Sequence, residues 1–407
     1  RHDVESRGLG DVYKRQVMLL AFVMLIFNNI NLFKIYTLSD NFYTNYSEIQ
    51  NANKEGIFGD FVTISLNQDK VKTDSDKNDK GTILFKLFGF IPIKKIDVKI
   101  IPEDNVYIGG TAIGLSVSAN GALVVSDVVV NAKDNQIIKN KNIKSGDIIT
   151  KINGNTISCV EDIDLALQNV DSEETNIEVI RDNKPKTLNV GLLKDSTNHY
   201  RLGVWVKNNI SGIGTLTFVK KNGDYGALGH PVTNTNSDTV VPIIDGNIYE
   251  CNLIGVNKGQ RNKPGELKGV FLQKNPLGEI SKNTPYGIFG NTDNIDQLVD
   301  INRSANIGGR LSVKPGKAKI ISSISGIQEE YDIEIIKANY QSKSSDKSLV
   351  FRVTDERLLK LTGGIVQGMS GSPIIQNDKL VGAVTHVFLS DPSKGYGVYS
   401  DWMLEQL

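Results

Sequence analysis

The run Gly368-Met369-Ser370-Gly371-Ser372-Pro373 sets a serine among small residues, and a serine in that setting can become an attacking group. A hydroxyl is a poor nucleophile until a base takes its proton and donors receive the oxyanion formed on the attacked carbonyl. Gly368 can adopt backbone conformations closed to residues with side chains. The amides of Gly368 and Ser370 can therefore converge on one point, as an oxyanion hole requires. Gly371 is expected to leave room for a substrate carbonyl. Histidine is the usual base, because its proton affinity lies near neutrality. Of the four histidines, His2 lies in an N-terminal leader and His199 in a polar connector, which leaves His230 and His386. His230 stands in Tyr225-Gly226-Ala227-Leu228-Gly229-His230-Pro231, a glycine-flanked strand end suited to presenting a base. A buried structural histidine is the competing reading. A carboxylate must then hold the imidazole tautomer and stabilise its cation. Chemistry alone does not choose it among 46 acidic residues, with Asp245, Asp355 and Asp401 as candidates.

The elements that follow narrow the architecture. A nucleophile elbow of the α/β-hydrolase kind has a glycine two residues after the serine and opens into a helix. Here that residue is Ser372, and Pro373 leads into two short apolar runs around Asn377-Asp378, which read as strand, tight turn and strand. This resembles the nucleophile loop of trypsin-like double-barrel proteases. The resemblance implies that residues 200–407 form a double β-barrel peptidase domain, and that Thr385 and His386, on the outgoing strand, line the pocket for the substrate residue preceding the cut.

A closer resemblance covers nearly the whole chain after the leader. Residues 362–374, Gly382-Ala383-Val384-Thr385-His386-Val387, Ala227-Leu228-Gly229-His230, Pro264-Gly265-Glu266-Leu267-Lys268-Gly269 and Gly395-Tyr396-Gly397 are similar to the stage IV sporulation protein B peptidases, which are PDZ-containing serine endopeptidases of spore formers. That resemblance implies a triad of His230, Asp355 and Ser370, the aspartate lying unusually close to the serine in sequence. It also implies self-cleavage and cleavage of a regulatory membrane protein, in the signalling that leads to activation of a late mother-cell sigma factor. The expected location is extracytoplasmic, between the forespore and mother-cell membranes, with the enzyme first anchored and then released.

Residues 104–193 read as a PDZ domain. Gly110-Thr111-Ala112-Ile113-Gly114-Leu115-Ser116-Val117 is an apolar-glycine-apolar loop running into alternating residues, and Gly146-Asp147-Ile148-Ile149-Thr150-Lys151-Ile152-Asn153-Gly154 signals a hairpin before a helix over 160–167. Such domains add a peptide to a sheet edge. The amides of Ile113, Gly114 and Leu115 are thus the expected receptor for a peptide ligand, with the chain's own N-terminal region among the candidates; a ligand-free spacer is the alternative. A quality-control protease carrying PDZ modules is a rival reading, weakened because that family places its PDZ domains after the protease. A noncatalytic PDZ peptide-binding protein is another.

Equal numbers of basic and acidic residues, 46 of each, leave no global field to draw nucleic acid or anionic lipid. Many short β-type runs between Gly, Asn and Asp turns indicate a mainly β protein. Residues 1–16 read as a leader foreign to the rest of the chain, and 17–36 as a signal or anchor segment built on the apolar run 17–27, with a buried core helix as the competitor. Residues 37–82 are expected to be a flexible linker and 83–103 a strand-rich lead-in to the PDZ domain. Cys159 and Cys251 show no metal-ligand spacing, and no glycine-rich segment meets the requirements of a dinucleotide site, so no cofactor or metal is expected.

Overall fold

The computed structural model describes residues 13–407 apart from 19, 21–31, 39, 41, 69–79, 102–104, 131–136, 141, 169, 196, 234–239 and 340–342. The chain divides into two compact units, residues 1–104 with 307–315 and 337–344, and residues 105–306 with 316–336 and 345–407.

The first unit corrects two expectations. Much of the stretch expected to be a flexible linker is ordered, and the strands at 83–103 belong to this unit rather than to the PDZ domain. Strands Phe42–Thr44, Ile91–Ile100, Lys80–Leu87 and Val62–Gln68 make one sheet in that order. Helix Tyr46–Lys54 begins at Asn45, whose side chain accepts the Glu48 amide. Ile49 and Ala52 on that helix, Ile64, Ile83, Phe85, Ile96 and Val98 on the strands, and Leu311 share one core. Buried Glu48 receives the Gly309 amide at 2.6 Å, which ties the 307–315 segment in. No helix among the described residues is long and apolar enough to cross a membrane. Most of the expected leader, the centre of the 17–36 segment and the 69–79 part of the linker lie outside the described residues.

In the second unit a circuit of antiparallel strands closes a barrel. Trp205–Val219 pairs with Ala112–Ser126, then come Ile243–Glu250, Gly278–Thr284, Gly287–Asn291 and Asp224–Ala227, which returns to Trp205–Val219. Its interior holds Ile113, Leu115, Val117, Leu216, Tyr225, Ile248 and Ile288. A second antiparallel sheet runs Glu329–Ala338, Gly316–Ser322, Pro373–Gln376, Lys379–Val387, Lys394–Tyr399 and Leu349–Val353. Its two outer strands are stitched where the Thr354 and Asp355 amides donate to the Asp332 carbonyl, each at 3.0 Å, giving a second barrel. Alternation explains these strands: Tyr331, Ile333 and Ile335 are buried while Glu330 and Asp332 face water.

The PDZ domain is threaded into the first barrel. Strand Ala112–Ser126 runs unbroken from barrel to PDZ, where Ala122 and Leu123 pair with Ile149 and Ile148. Strands Ile148–Ile152, Glu174–Arg181 and Lys184–Gly191 and helix Val160–Gln168 enclose Val124, Ile149, Ile163, Ile177 and Val179. Asn153 and Gly154, both left-handed, form the expected hairpin turn. The Asp147 carboxylate is buried and held by Arg181 through two contacts of 2.7 Å.

Candidate active site

The Ser370 loop is clamped by the first barrel. Thr215 Oγ1 donates to the Gly368 carbonyl (2.8 Å), the Thr215 amide to the Ser370 carbonyl (2.9 Å), and Thr217 Oγ1 to the Gly371 carbonyl (2.8 Å). Gly368 (φ 95°) and Gly371 (φ 97°) both lie in the left-handed region. The expectation that Gly371 makes room for substrate is corrected. A Cβ there would stand 1.9 Å from the Thr215 carbonyl oxygen, so glycine is required by the close approach of two backbones. Among the described residues, the amides of Gly368 and Ser370 donate to no carbonyl, whereas those of Met369, Gly371 and Ser372 all do. Two unengaged amides flanking a nucleophile loop are what an oxyanion hole needs.

His230 ends a strained turn. Leu228 (φ 69°) and Gly229 (φ 70°) are consecutive left-handed residues, a conformation that a leucine sustains only when its surroundings fix it. The Leu228 amide is held by the Thr215 carbonyl at 3.2 Å, so one strand residue grips both the serine loop and the histidine turn. His230 Nδ1 lies 2.8 Å from the Pro231 carbonyl. With the proton on Nδ1 donated there, Nε2 keeps the lone pair a base uses.

These pieces meet on residues 384–386 of strand Lys379–Val387. Ser370 Oγ donates to the Thr385 carbonyl (2.8 Å) and the Gly371 amide to the Val384 carbonyl (2.7 Å). A Cβ built on Gly229 would lie 3.1 Å from Thr385 Cγ2 and 3.2 Å from the Val384 oxygen. The His230 and His386 rings are 5.0 Å apart. Thr385 and His386, expected to line a substrate pocket, thus sit against Ser370 and His230. Burial holds His230 below its ordinary proton affinity, with the Pro231 carbonyl and the Asp346 charge pulling the other way. His386 is pushed down to about 4, by burial first and by His230 next. Both rings are therefore neutral at pH 7.

The third expected member is elsewhere. Asp355 is the N-cap of helix Glu356–Thr362, accepting the amides of Arg357 and Leu358. It also takes the Asp332 amide and pairs with the Arg357 guanidinium at 2.9 Å. Burial opposes its ionisation, but the guanidinium and those amides hold its carboxyl below the usual range. Its hydrogen-bond partners include no histidine, because they are supplied by the helix start and the neighbouring strand. The carboxylate at the histidine pair is Asp346: Oδ2 lies 3.7 Å from His386 Nδ1, just beyond hydrogen-bond reach, and Thr385 Oγ1 donates to its carbonyl at 2.6 Å. Asp245 is exposed on a barrel strand, and Asp401 is buried at the start of the C-terminal helix.

The expected peptide receptor is also corrected. Ile113, Gly114 and Leu115 lie in a central barrel strand, paired with residues 212–214 on one side and 248–250 on the other. Neither strand edge is open to a peptide. Sequence reasoning missed Thr215, Thr217 and Asp346. The signal for the first two was an alternation of threonine with apolar residues in Gly214-Thr215-Leu216-Thr217-Phe218; Asp346 had none. Cys159 and Cys251 are free, and no group of three potential metal ligands exists among the described residues.

A serine loop from one barrel facing a histidine turn from another, with a PDZ domain threaded between strands, defines a PDZ-containing serine endopeptidase. The match of residues 198–404 to the SpoIVB peptidase S55 family covers just over half the chain, and residues 111–192 match the PDZ domain family. The chain belongs to the SpoIVB peptidase S55 family. Among curated proteins none matches it. Two solved structures are similar over part of its length. The active form of the Rv3671c protease from M. tuberculosis is 13% identical over 49% of this chain and 73% of that one (TM-score 0.31). The HtrA-type protease AlgW with decapeptide is 11% identical over 49% of this chain and 52% of that one (TM-score 0.28).

Proposed function

We propose that Ser370 is the nucleophile, His230 the general base and the amides of Gly368 and Ser370 the oxyanion hole. The resting Ser370 hydroxyl is parked on the Thr385 carbonyl, so reaction begins with its rotation toward His230 Nε2. The Ser370 oxygen then bonds to the scissile carbonyl carbon while its proton passes to Nε2, and the carbonyl oxygen gains the negative charge. Collapse returns that proton to the leaving amine and leaves an acyl-serine, which water cleaves by the same route in reverse. The Asp346 charge, which raises the proton affinity of His230, stabilises the imidazolium formed midway. The observation that supports this reading best is the convergence of the serine loop and the histidine turn on residues 384–386.

The substrate reading is that of an extracytoplasmic enzyme that cuts itself and a regulatory membrane protein in sporulation signalling. It is supported by the family match and by the apolar run at 17–27, a sequence feature suited to export or anchoring. A fluorophosphonate probe tests the chemistry. Wild type is expected to label, whereas Ser370→Ala and His230→Ala are not; labelling that survives in His230→Ala would move the base to His386, and labelling that survives in Ser370→Ala would end the assignment. Mass spectrometry of products from active and Ser370→Ala protein, incubated with membrane proteins of sporulating cells, tests the substrate. Absence of any serine-dependent cut in the chain itself or in a membrane protein would remove the signalling role.

A further inference from the structure

In the first compact unit, strands Lys80–Leu87 and Ile91–Ile100 are joined by a turn that places a bulky residue in left-handed backbone. Phe88 (φ 54°) and Gly89 (φ 80°) are both left-handed, and the Phe90 amide closes the turn onto the Leu87 carbonyl at 3.2 Å. Asn-Gly and Asp-Gly adopt that geometry readily, whereas a bulky residue there is an outlier. Among the described residues, eight of the ten non-glycine positions with positive φ are Asn or Asp. The other two are Leu228, beside the proposed base, and Phe88. Stability alone would favour asparagine at 88, so the ring serves something other than the turn.

The ring belongs to an exposed cluster. Phe88 is 40% exposed, Phe90 72%, Ile91 44% and Phe61 38%. Phe61 and Phe88 lie 5.5 Å apart, Phe88 and Phe90 6.4 Å, and the Phe88 amide is anchored on the Phe61 carbonyl at 2.8 Å. The cluster is thus a built tip at the end of a hairpin. Lys86 and Lys95 stand on the two strands just behind it, Lys95 exposed. An aromatic apex with a lysine collar is the composition of segments that sit at the headgroup level of a bilayer.

Chain continuity argues for the same surface. Helix Leu32–Thr37 arrives at the turn end of this sheet, where Lys94 donates to the carbonyls of Ile35 (3.1 Å) and Leu38 (2.8 Å). The apolar run 17–27 ends a few residues before that helix, so the part of the sequence suited to a bilayer leads into the end of the sheet that carries the tip.

We propose that the Phe61, Phe88 and Phe90 tip docks into the headgroup layer of an anionic lipid bilayer, with Lys86 and Lys95 facing lipid phosphates. The test uses the full chain carrying Phe90→Trp, mixed with vesicles of phosphatidylcholine and phosphatidylglycerol, with wild type alongside to subtract Trp205 and Trp402. The added indole is expected to shift to the blue and to be quenched several-fold more by nitroxide placed near the headgroups than by nitroxide deep in the acyl chains. Phe88→Asn is expected to raise thermal stability and, combined with Phe90→Trp, to reduce that quenching several-fold. An added indole that stays solvent-like while the protein sediments with vesicles would overturn the proposal, as would absence of sedimentation. Loss of stability in Phe88→Asn would overturn it too, by showing the ring to be structural. Capture of the tip by a protein, with the indole shielded only when that protein is present, would also refute it. Labelling of Ser370 is untouched by any of these outcomes.

Discussion

Replacing Gly371 by alanine should separate the serine from its clamp. The added Cβ would stand 1.9 Å from the Thr215 carbonyl oxygen and 2.6 Å from the Leu228 amide nitrogen, and both obstacles are backbone that cannot swing aside. The loop must therefore lift off strand Trp205–Val219. Lifting breaks the Thr215 amide to Ser370 carbonyl bond and the Thr217 Oγ1 to Gly371 carbonyl bond, at about 1 kcal/mol each. Holding alanine near φ 97° adds about 1–3 kcal/mol. The sum is about 3–5 kcal/mol of folding stability.

A second consequence is kinetic. A nucleophile displaced by about 1 Å typically loses about 10²-fold in rate, so fluorophosphonate labelling should fall by that order in the fraction that remains folded. Gly368→Ala is the comparison for stability alone, because its φ of 95° carries the same conformational cost while the nearest atoms its Cβ would meet are those of the Leu267 side chain rather than backbone. Denaturant unfolding of the two variants and the labelling rate of Gly371→Ala decide the matter. If Gly371→Ala stays within about 0.5 kcal/mol of wild type and labels at the same rate, the barrel strand does not clamp the loop. Unchanged stability with weakened substrate binding alone would restore the view that Gly371 makes room for substrate.

Asp346→Asn removes the charge that raises the proton affinity of both histidines. The acid limb of the kcat/KM profile should therefore move to lower pH while kcat falls, because the imidazolium formed during reaction loses a stabilising charge. Asp355→Ala should instead cost about 1–2 kcal/mol of stability through the lost helix cap and leave the acid limb in place; the reverse pattern would return Asp355 to the imidazole. Replacing residues 120–207 with Asn-Gly should leave a folded barrel whose Ser370 still labels, since Ser118 and Asn209 are direct partners across the strands it would join. Deleting 104–193 should unfold the barrel, and soluble, labelling-competent protein from that deletion would show the shared strand to be dispensable.

Local chemistry was legible and distant partnership was not. The turn at Asn377-Asp378, left-handed at both residues, joins the two strands expected after Ser370, because turn type is written in adjacent residues. Thr215 and Gly368 are separated by 153 positions, and nothing local in either announces the other. Asp355 stands in the structure as a helix cap, and its own surroundings carry that signal: an aspartate before Glu356-Arg357-Leu358-Leu359 reads as an N-cap. Asp346 gains its place only because residues 345–348 fold against Thr385. The supposed linker was misread for a different reason. Helix Tyr46–Lys54 buries one narrow stripe, and its polar remainder dominates the composition.

The continuity of the PDZ domain with the first barrel has the most mechanical meaning. Strand Ala112–Ser126 pairs with Trp205–Val219 at both ends, through residues 112–118 in the barrel and 123–126 in the PDZ domain. The two modules are therefore joined by two continuous strands, whose mutual pairing is interrupted at the junction, where residues 119–122 of Ala112–Ser126 stand opposite Asn208 alone. Thr215, which grips both the Ser370 loop and the Leu228 turn, lies on one of those strands within ten residues of the PDZ end. A force that twists or slides the strand pair at the PDZ end reaches the barrel through two shared strands rather than through a slack tether. Coupling of that kind follows from shared backbone, which a domain tied on by a flexible linker would lack.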